Sequence, residues 1–350
     1  MRQFILTVFT LLFCIGVANA AVKEAEVNVV FPSGSVKALT LVNKNGRIDV
    51  DRVVGKRDIV IDVTVKCTAN TPEDAQKLLN SISIDKSATG SAAAVNTVIL
   101  SNKSIKNLLT GADYVIDYKV TVPWGVELNI INENGSVTIP NYSDKLTLQA
   151  QNCNVYVGDI TGEATCLLVV KRGKCLLKGA EFLNAEFESC QYELGRVLSS
   201  TIKAKNGTGT IEEATITNLN LTGGSLNITK TEDISGSAVD CAVTIGDLGD
   251  CLNLDMVRKS LTINNVHFSF DKIMVGALWT DINMKFMEDS GYNLTLQHDK
   301  RLKVNLPSDL KLGRLSASKK KSMIGSAYYG NPNRKSDVHL RLNAGTLTIK

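Results

Sequence analysis

One pattern restricts the fold of this chain more than any other. A polar residue and a glycine recur, each time followed by a short strand in which apolar and polar residues alternate. It appears as Asn45-Gly46-Arg47-Ile48-Asp49-Val50, Asn134-Gly135-Ser136-Val137-Thr138-Ile139, Asn206-Gly207-Thr208-Gly209-Thr210-Ile211, Gly223-Gly224-Ser225-Leu226-Asn227-Ile228 and Gly345-Thr346-Leu347-Thr348-Ile349. Asn-Gly pairs adopt positive φ and make tight turns, and the alternation has the period of a half-buried strand. Weaker copies begin at Asn152-Cys153, Arg172-Gly173 and Leu194-Gly195, so the starts at 134, 152, 172, 194, 206 and 223 lie 12 to 22 residues apart. Such a step has room for one or two short strands and no helix, which is what each turn of a β-solenoid uses.

A two-residue turn also suits an antiparallel hairpin, so a β-sandwich is the competing architecture. Two features favour the solenoid. The apolar positions are mainly Val, Ile and Leu in runs of three or four alternating residues, which suits a narrow core. Residues 130 to 265 also lack long uninterrupted strands and the Cys…Trp…Cys pattern of an immunoglobulin sandwich. The expected fold class is therefore all-β, a single-stranded right-handed parallel β-helix with one N-terminal capping helix. At about 20 residues and about 4.8 Å of rise per turn, residues 130 to 265 make about seven coils.

The helix is predicted from Thr71-Pro72-Glu73-Asp74, an N-cap, a proline at the first helical position and acids in the first turn, with Ala75, Leu78, Leu79 and Ile82 on one face. Laid over the first coils, it would cover an end that otherwise presents unpaired backbone groups. Residues 1 to 20 read as a cleaved secretory signal: Arg2, an apolar run from Phe4 to Val17, and the small-x-small Ala18-Asn19-Ala20. Cys14 is preceded by Phe13 rather than a small residue, which disfavours a lipoprotein. No second hydrophobic span follows. The expected organisation is a signal over 1–20, N-terminal strands and capping helix over 21–125, and coils with closing strands over 126–350. The destination is the periplasm or the cell surface of a Gram-negative-type envelope.

Cys67, Cys153, Cys166, Cys175, Cys190, Cys241 and Cys251 remain after cleavage, an odd number that leaves at least one thiol free. None is spaced Cys-x-x-Cys or sits near a histidine, so zinc has no support. Buried small side chains are the favoured reading, with disulfides between adjacent turns as the alternative.

With Leu39 to Val50, the Ala75 helix, Asp117-Tyr118-Lys119-Val120-Thr121-Val122-Pro123, the Asn-Gly units and the closing Gly345-Thr346-Leu347-Thr348-Ile349, the chain resembles the putative-adhesin family of exported bacterial β-solenoid domains. The resemblance covers nearly the whole mature chain. It implies a right-handed β-helix and an adhesin label given by shape, with no catalytic signature. The cysteine-bearing coils from Cys153 to Cys190 depart from the pattern. So does Phe268 to Lys321, where the repeat is faint and a separate edge hairpin is an open reading.

Chemistry is sparse. There is no Gly-x-Ser-x-Gly, His-Glu-x-x-His or P-loop, and Gly207-Thr208-Gly209 does not complete a dinucleotide fingerprint. His267, His298 and His339 are scattered through strand-like segments. Lys+Arg 39 against Asp+Glu 35 is too even for a nucleic-acid binder. Gly246-Asp247-Leu248-Gly249-Asp250, with Asp255 beyond, resembles a calcium turn but occurs once, and a simple turn is favoured. Lys319-Lys320-Lys321 reads as a solvated loop, with acidic lipid or polysaccharide as the sharper reading. Glu212-Glu213, Glu186-Phe187-Glu188 and Glu232-Asp233 are the acid pairs a carbohydrate-active enzyme would need, if register brought two together beside a Tyr or Trp. No catalytic, cofactor-binding or metal residue is assigned, and no cofactor is expected. The leading expectation is a non-enzymatic cell-envelope protein offering a rigid surface to an unknown protein or glycan. A carbohydrate-active β-helix enzyme and a periplasmic accessory or sensing module for a membrane partner are the alternatives.

Overall fold

The computed structural model describes residues 20–317 and 323–350, apart from Ser33, Lys56, 101–104, 106 and 108. The protein is nearly all β, and every strand belongs to one hydrogen-bonded sheet. Successive passes of the chain pair in parallel. Leu128 stands beside Leu146, Asn154 beside Lys174, Gln191 beside Lys174 from the next pass, and Ser225 beside Ala242.

Each pass turns one corner at a residue with positive φ. Asn134, Asn152, Arg172, Ser189, Asn206, Gly223, Asp240, Arg258 and Trp279 follow at steps of 18, 20, 17, 17, 17, 17, 18 and 21 residues. Asn and Gly tolerate this conformation, whereas other side chains pay roughly 1–2 kcal/mol for it. The corners stack through the backbone: Ser189 N–H donates to Lys205 O (2.8 Å), Asp240 N–H to Val257 O (2.9 Å) and Arg258 N–H to Leu278 O (2.8 Å). Glycine after a corner can meet the pass below closely: a Cβ on Gly224, at φ +82, would lie 1.9 Å from Gly207 O. Side chains bridge corners as well, with Asn134 Nδ2 on Asn45 Oδ1 (2.9 Å), Asn152 Nδ2 on Asn134 Oδ1 (2.8 Å) and Arg172 Nε on Asn152 Oδ1 (2.9 Å).

Two sequence expectations need correction. The turn predicted at Leu194-Gly195 falls instead at Ser189-Cys190. Gly195 lies within a strand, where a Cβ would be 1.9 Å from Lys178 O. Long uninterrupted strands do occur, Leu146–Lys171 and Gln191–Val239, because ladder pairing continues through the corners. Glycine in Gly207-Thr208-Gly209 serves packing, since the Tyr192 ring fills the space of a Gly209 side chain and stacks on Phe187 at 4.2 Å.

One hydrophobic core runs through the passes. Its inward rows keep register: Ile139, Val157 and Leu177 are aligned partners, as are Ile228, Ile245 and Ile263. Each such side chain is buried, a gain of roughly 1.5–3 kcal/mol per residue. Cys153, Cys190 and Cys241 occupy the position after the corner that glycine holds elsewhere, and all seven described cysteines are free, six of them buried. Burial pushes the thiols of Cys67, Cys190 and Cys241 up to about 11, so they stay protonated.

Both ends interleave distant parts of the sequence. Ala38–Val53 lies between Glu127–Ile139 on one side and, on the other, Ala92–Ile99 and Ala112–Pro123. Antiparallel strands Ile59–Ala69 and then Ala21–Phe31 extend the sheet outward. Arg52 fastens this end, with its guanidinium between the rings of Trp124 (4.2 Å) and Tyr142 (4.1 Å) and 3.3 Å from Asp144. Helix Pro72–Leu79 starts where expected, with Thr71 Oγ1 accepting Asp74 N–H (3.1 Å), but ends at Asn80, and Ile82, expected on its apolar face, instead opens strand Ile82–Thr89. It packs its buried Ala75 and Leu78 on the outlying strands Ala21–Phe31 and Ile59–Ala69. At the other end, Ser336–Asn343 lies between Lys272–Leu278 and Gly291–His298, and Gly345–Ile349 between Asp281–Phe286 and Leu302–Asn305. The faint segment does contain an antiparallel hairpin, Gly313–Ala317 with Met323–Gly330, and the latter strand pairs Gly291–His298.

Candidate functional site

Away from the corner spine, one of the register slips falls between Thr231 and Asp233, where Thr231 stands beside Leu248 but Asp233 beside Cys251. The upper pass thus carries an extra residue, a β-bulge, and bulges re-aim side chains. Gly249 leaves room there for the Glu232 carboxylate, which lies 2.0 Å from where a Cβ would sit. The bulge gathers Asp233, Asp250 and Cys251, whose donor atoms lie within 4.8 Å of one another. Asp233 Oδ1 accepts the Cys251 N–H (3.2 Å), Asp250 Oδ1 accepts the Asp271 N–H (3.1 Å), and Cys251 Sγ donates to Asp271 Oδ2 (3.9 Å). Burial first, then the charges of Asp250, Asp233 and Asp271, push the Cys251 thiol up. These three residues could hold a cation, although two of the carboxylates are already stapling the bulge.

Beside them lies a cavity of ≈ 590 Å³, with Lys230, Glu232, Asp247, Asp250 and His267 among its lining residues. One cation faces three carboxylates. Asp247 Oδ1 accepts from Asn265 Nδ2 (2.8 Å), and His267 Nδ1 meets Ser269 Oγ (2.8 Å). Chemically this is a polar cradle. The two acids a carbohydrate-active site requires are present in it, but the lining holds no Tyr or Trp.

The flagged residues separate clearly. Asp247, Asp250, Glu232 and His267 meet at this cavity, while Asp255 stands on a different strand segment against Gly276. Glu186 and Glu188 are neutralised by Lys203 (2.9 Å) and Lys171 (3.6 Å), and Glu213 by Arg196 (3.6 Å) and Lys230 (3.8 Å). His298 Nδ1 turns to Asp299 O (2.8 Å), and His339 sits in a ladder between Met274 and Thr295. Lys319, Lys320 and Lys321 lie outside the described residues. Cys251 and Asp271 are the members that sequence reasoning missed. The surplus residue at Gly249-Asp250, set against the 17-residue step, was the available signal.

No family model and no curated protein matches the chain. Among solved structures it is similar to a putative cell adhesion protein from Clostridium sporogenes ATCC 15579, at 9% identity over 94% of this chain and 99% of that one, with a TM-score of 0.17. It is similar also to a putative lipid binding protein from Parabacteroides distasonis ATCC 8503, at 12% identity over 75% and 97%, TM-score 0.30. A third is a putative adhesin from Parabacteroides merdae ATCC 43184, at 12% identity over 76% and 95%, TM-score 0.29. Two of the three are named for adhesion.

Proposed function

We propose that this chain is an exported, non-enzymatic protein of the cell envelope, a right-handed parallel β-solenoid that offers a rigid flank to a surface partner. In this reading residues 1–20 are the cleaved signal, 21–125 form the N-terminal strands with the capping helix, and 126–350 are coils and closing strands. One observation carries it: parallel pairing at a nearly constant offset from Asn134 to Trp279, marked by a stacked corner in every pass. Such stacking yields a straight, stiff surface whose side chains stand in rows about 4.8 Å apart. A rod of this kind binds by its length, not by a pocket. The acidic bulge and its cavity, lacking a stacking Tyr or Trp, support this reading over a carbohydrate-active one.

The test is protease shaving of intact cells with fractionation. Expected is recovery of the chain, beginning at Ala21, in the envelope fraction with degradation by external protease. Recovery in the cytosol with an intact N-terminus would overturn export, and protection from protease in an envelope fraction would favour the periplasmic accessory reading. Purified protein should retain envelope fragments without releasing soluble sugars from them.

A further inference from the structure

One flank of the passes differs from the rest in its chemistry. Four residues beyond each corner the side chain points outward, and in four consecutive passes that position holds Thr210, Asn227, Thr244 and Thr262, all exposed or half-buried. Asn227 is the register partner of Thr244, and Thr244 of Thr262. Two residues beyond each corner the same passes hold Thr208, Ser225, Ala242 and Ser260. The eight positions carry no charge. Elsewhere on the same columns charge is present, as at Lys174, Glu193 and Asp281. The corner rows spend their amides on one another, whereas among the described residues Thr210, Asn227, Thr244 and Thr262 make no side-chain hydrogen bond.

A second, independent feature borders this patch. The corner two residues before Asp281 is Trp279, held at φ 52 and 52% exposed. A bulky residue in the left-handed region is costly, and an exposed indole gains little from burial to offset it. Its neighbour along the corner spine is Ala344, bonded through Trp279 N–H to Asn343 O (2.8 Å), a side chain too small to cover the ring. The passes on either side impose the corner itself, so what Trp279 adds is a half-exposed, flat aromatic face at the end of the patch, on which a sugar ring can stack.

We infer that this flank binds a neutral, linear polysaccharide lying along the stack, with Trp279 stacking on a sugar ring at one end. Hydroxyl and amide side chains both donate and accept, as sugar hydroxyls do, and the rows repeat about every 4.8 Å along the axis. The lack of Arg or Lys at these eight positions selects against phosphorylated, sulfated or uronic polymers, whose partners they would be. The inference rests on the solenoid reading and names the partner class that reading leaves open.

Affinity electrophoresis of the mature chain through gels containing hydroxyethyl cellulose, glucomannan, arabinoxylan or alginate tests it. Expected is retardation by at least one of the three neutral polymers and none by alginate. Trp279→Ala should weaken retention at least tenfold, and so should Thr244→Lys combined with Thr262→Lys. Asn218→Lys with Ser235→Lys, on the other side of the passes, should leave retention unchanged, with thermal melts confirming that each variant folds. No retardation by any neutral polymer, or undiminished retention by the Thr244/Thr262 variant, would overturn the inference. If envelope retention persists in that case, the rod reading stands without the glycan one. If both fail, the proposed function fails with it.

Discussion

The passes between Asn134 and Arg258 and the passes at the two ends obey the same geometry but different topology. In the middle, each pass pairs with its neighbours in sequence, at steps of 17 to 20 residues. At the ends, a pass is inserted between two others that are close to each other in the chain. Ala38–Val53 enters beside Glu127–Ile139, and Ser336–Ile349 enters between Lys272–Phe286 and Gly291–Asn305. Middle passes are thus held by local pairings alone, and end passes close loops many times longer. The difference teaches that repetition builds the length of such a molecule, while long-range insertion fixes where it stops. An interleaved end cannot peel away one layer at a time.

The largest expected effect comes from deleting residues 336–350, which removes a pass from inside the sheet. It should unfold everything beyond Lys272, read as lost amide protection from Lys272 to Gly330. Deletion of 223–239, one middle unit, should shift the melting temperature by only a few degrees. Equal damage from both deletions would erase the distinction. Next is Gly224→Ala, whose new Cβ would meet Gly207 O at positive φ. We expect a loss of roughly 2–5 kcal/mol in denaturant unfolding, from left-handed strain plus overpacking. The matching end substitution, Gly345→Ala, would meet Thr280 O at 2.1 Å and should release the last pass selectively in hydrogen exchange. Arg52→Lys keeps the charge but not the planar stack between Trp124 and Tyr142, and should cost roughly 1–3 kcal/mol. Trp124 fluorescence reports whether the loss is local to the N-terminal end.

The smallest effect is pH-dependent. Burial alone would raise the Asp299 carboxyl, but the Arg301 guanidinium and the N–H groups of Arg301 and Ala344 more than offset it and hold it below its ordinary value. A depressed folded pKa means stabilisation that is full above the unfolded pKa and lost as pH falls through the folded one. Acid should therefore loosen the amide of Ala344 before the amides of the middle passes, and Asp299→Asn should remove that pH dependence.

How much of this was legible in the sequence follows the same division. Corners at Asn45, Asn134, Asn152, Arg172 and Asn206 announce themselves through the residue pair that makes them, and Thr71-Pro72 announces the helix. Ser189, Arg258 and Trp279 adopt the same conformation without a residue that prefers it, imposed by the passes above and below, so no local signal exists. Interleaving is invisible because strand pairing leaves no mark on residues 43 to 89 positions apart. The acidic corner was half legible: its residues were noticed as Glu232-Asp233 and Gly246 to Asp250, but only the bulge brings them together.

The inserted last pass also sets an order in time. A chain emerging N-terminus first can lay down its middle passes as they appear, but Gly291–His298 reaches only its antiparallel partner Met323–Gly330, and no parallel layer, until residues 336–349 arrive. A prematurely terminated product would keep an open sheet edge and stay a substrate for proteases and chaperones. Residues 336–349 thereby close the edges that the earlier passes leave open.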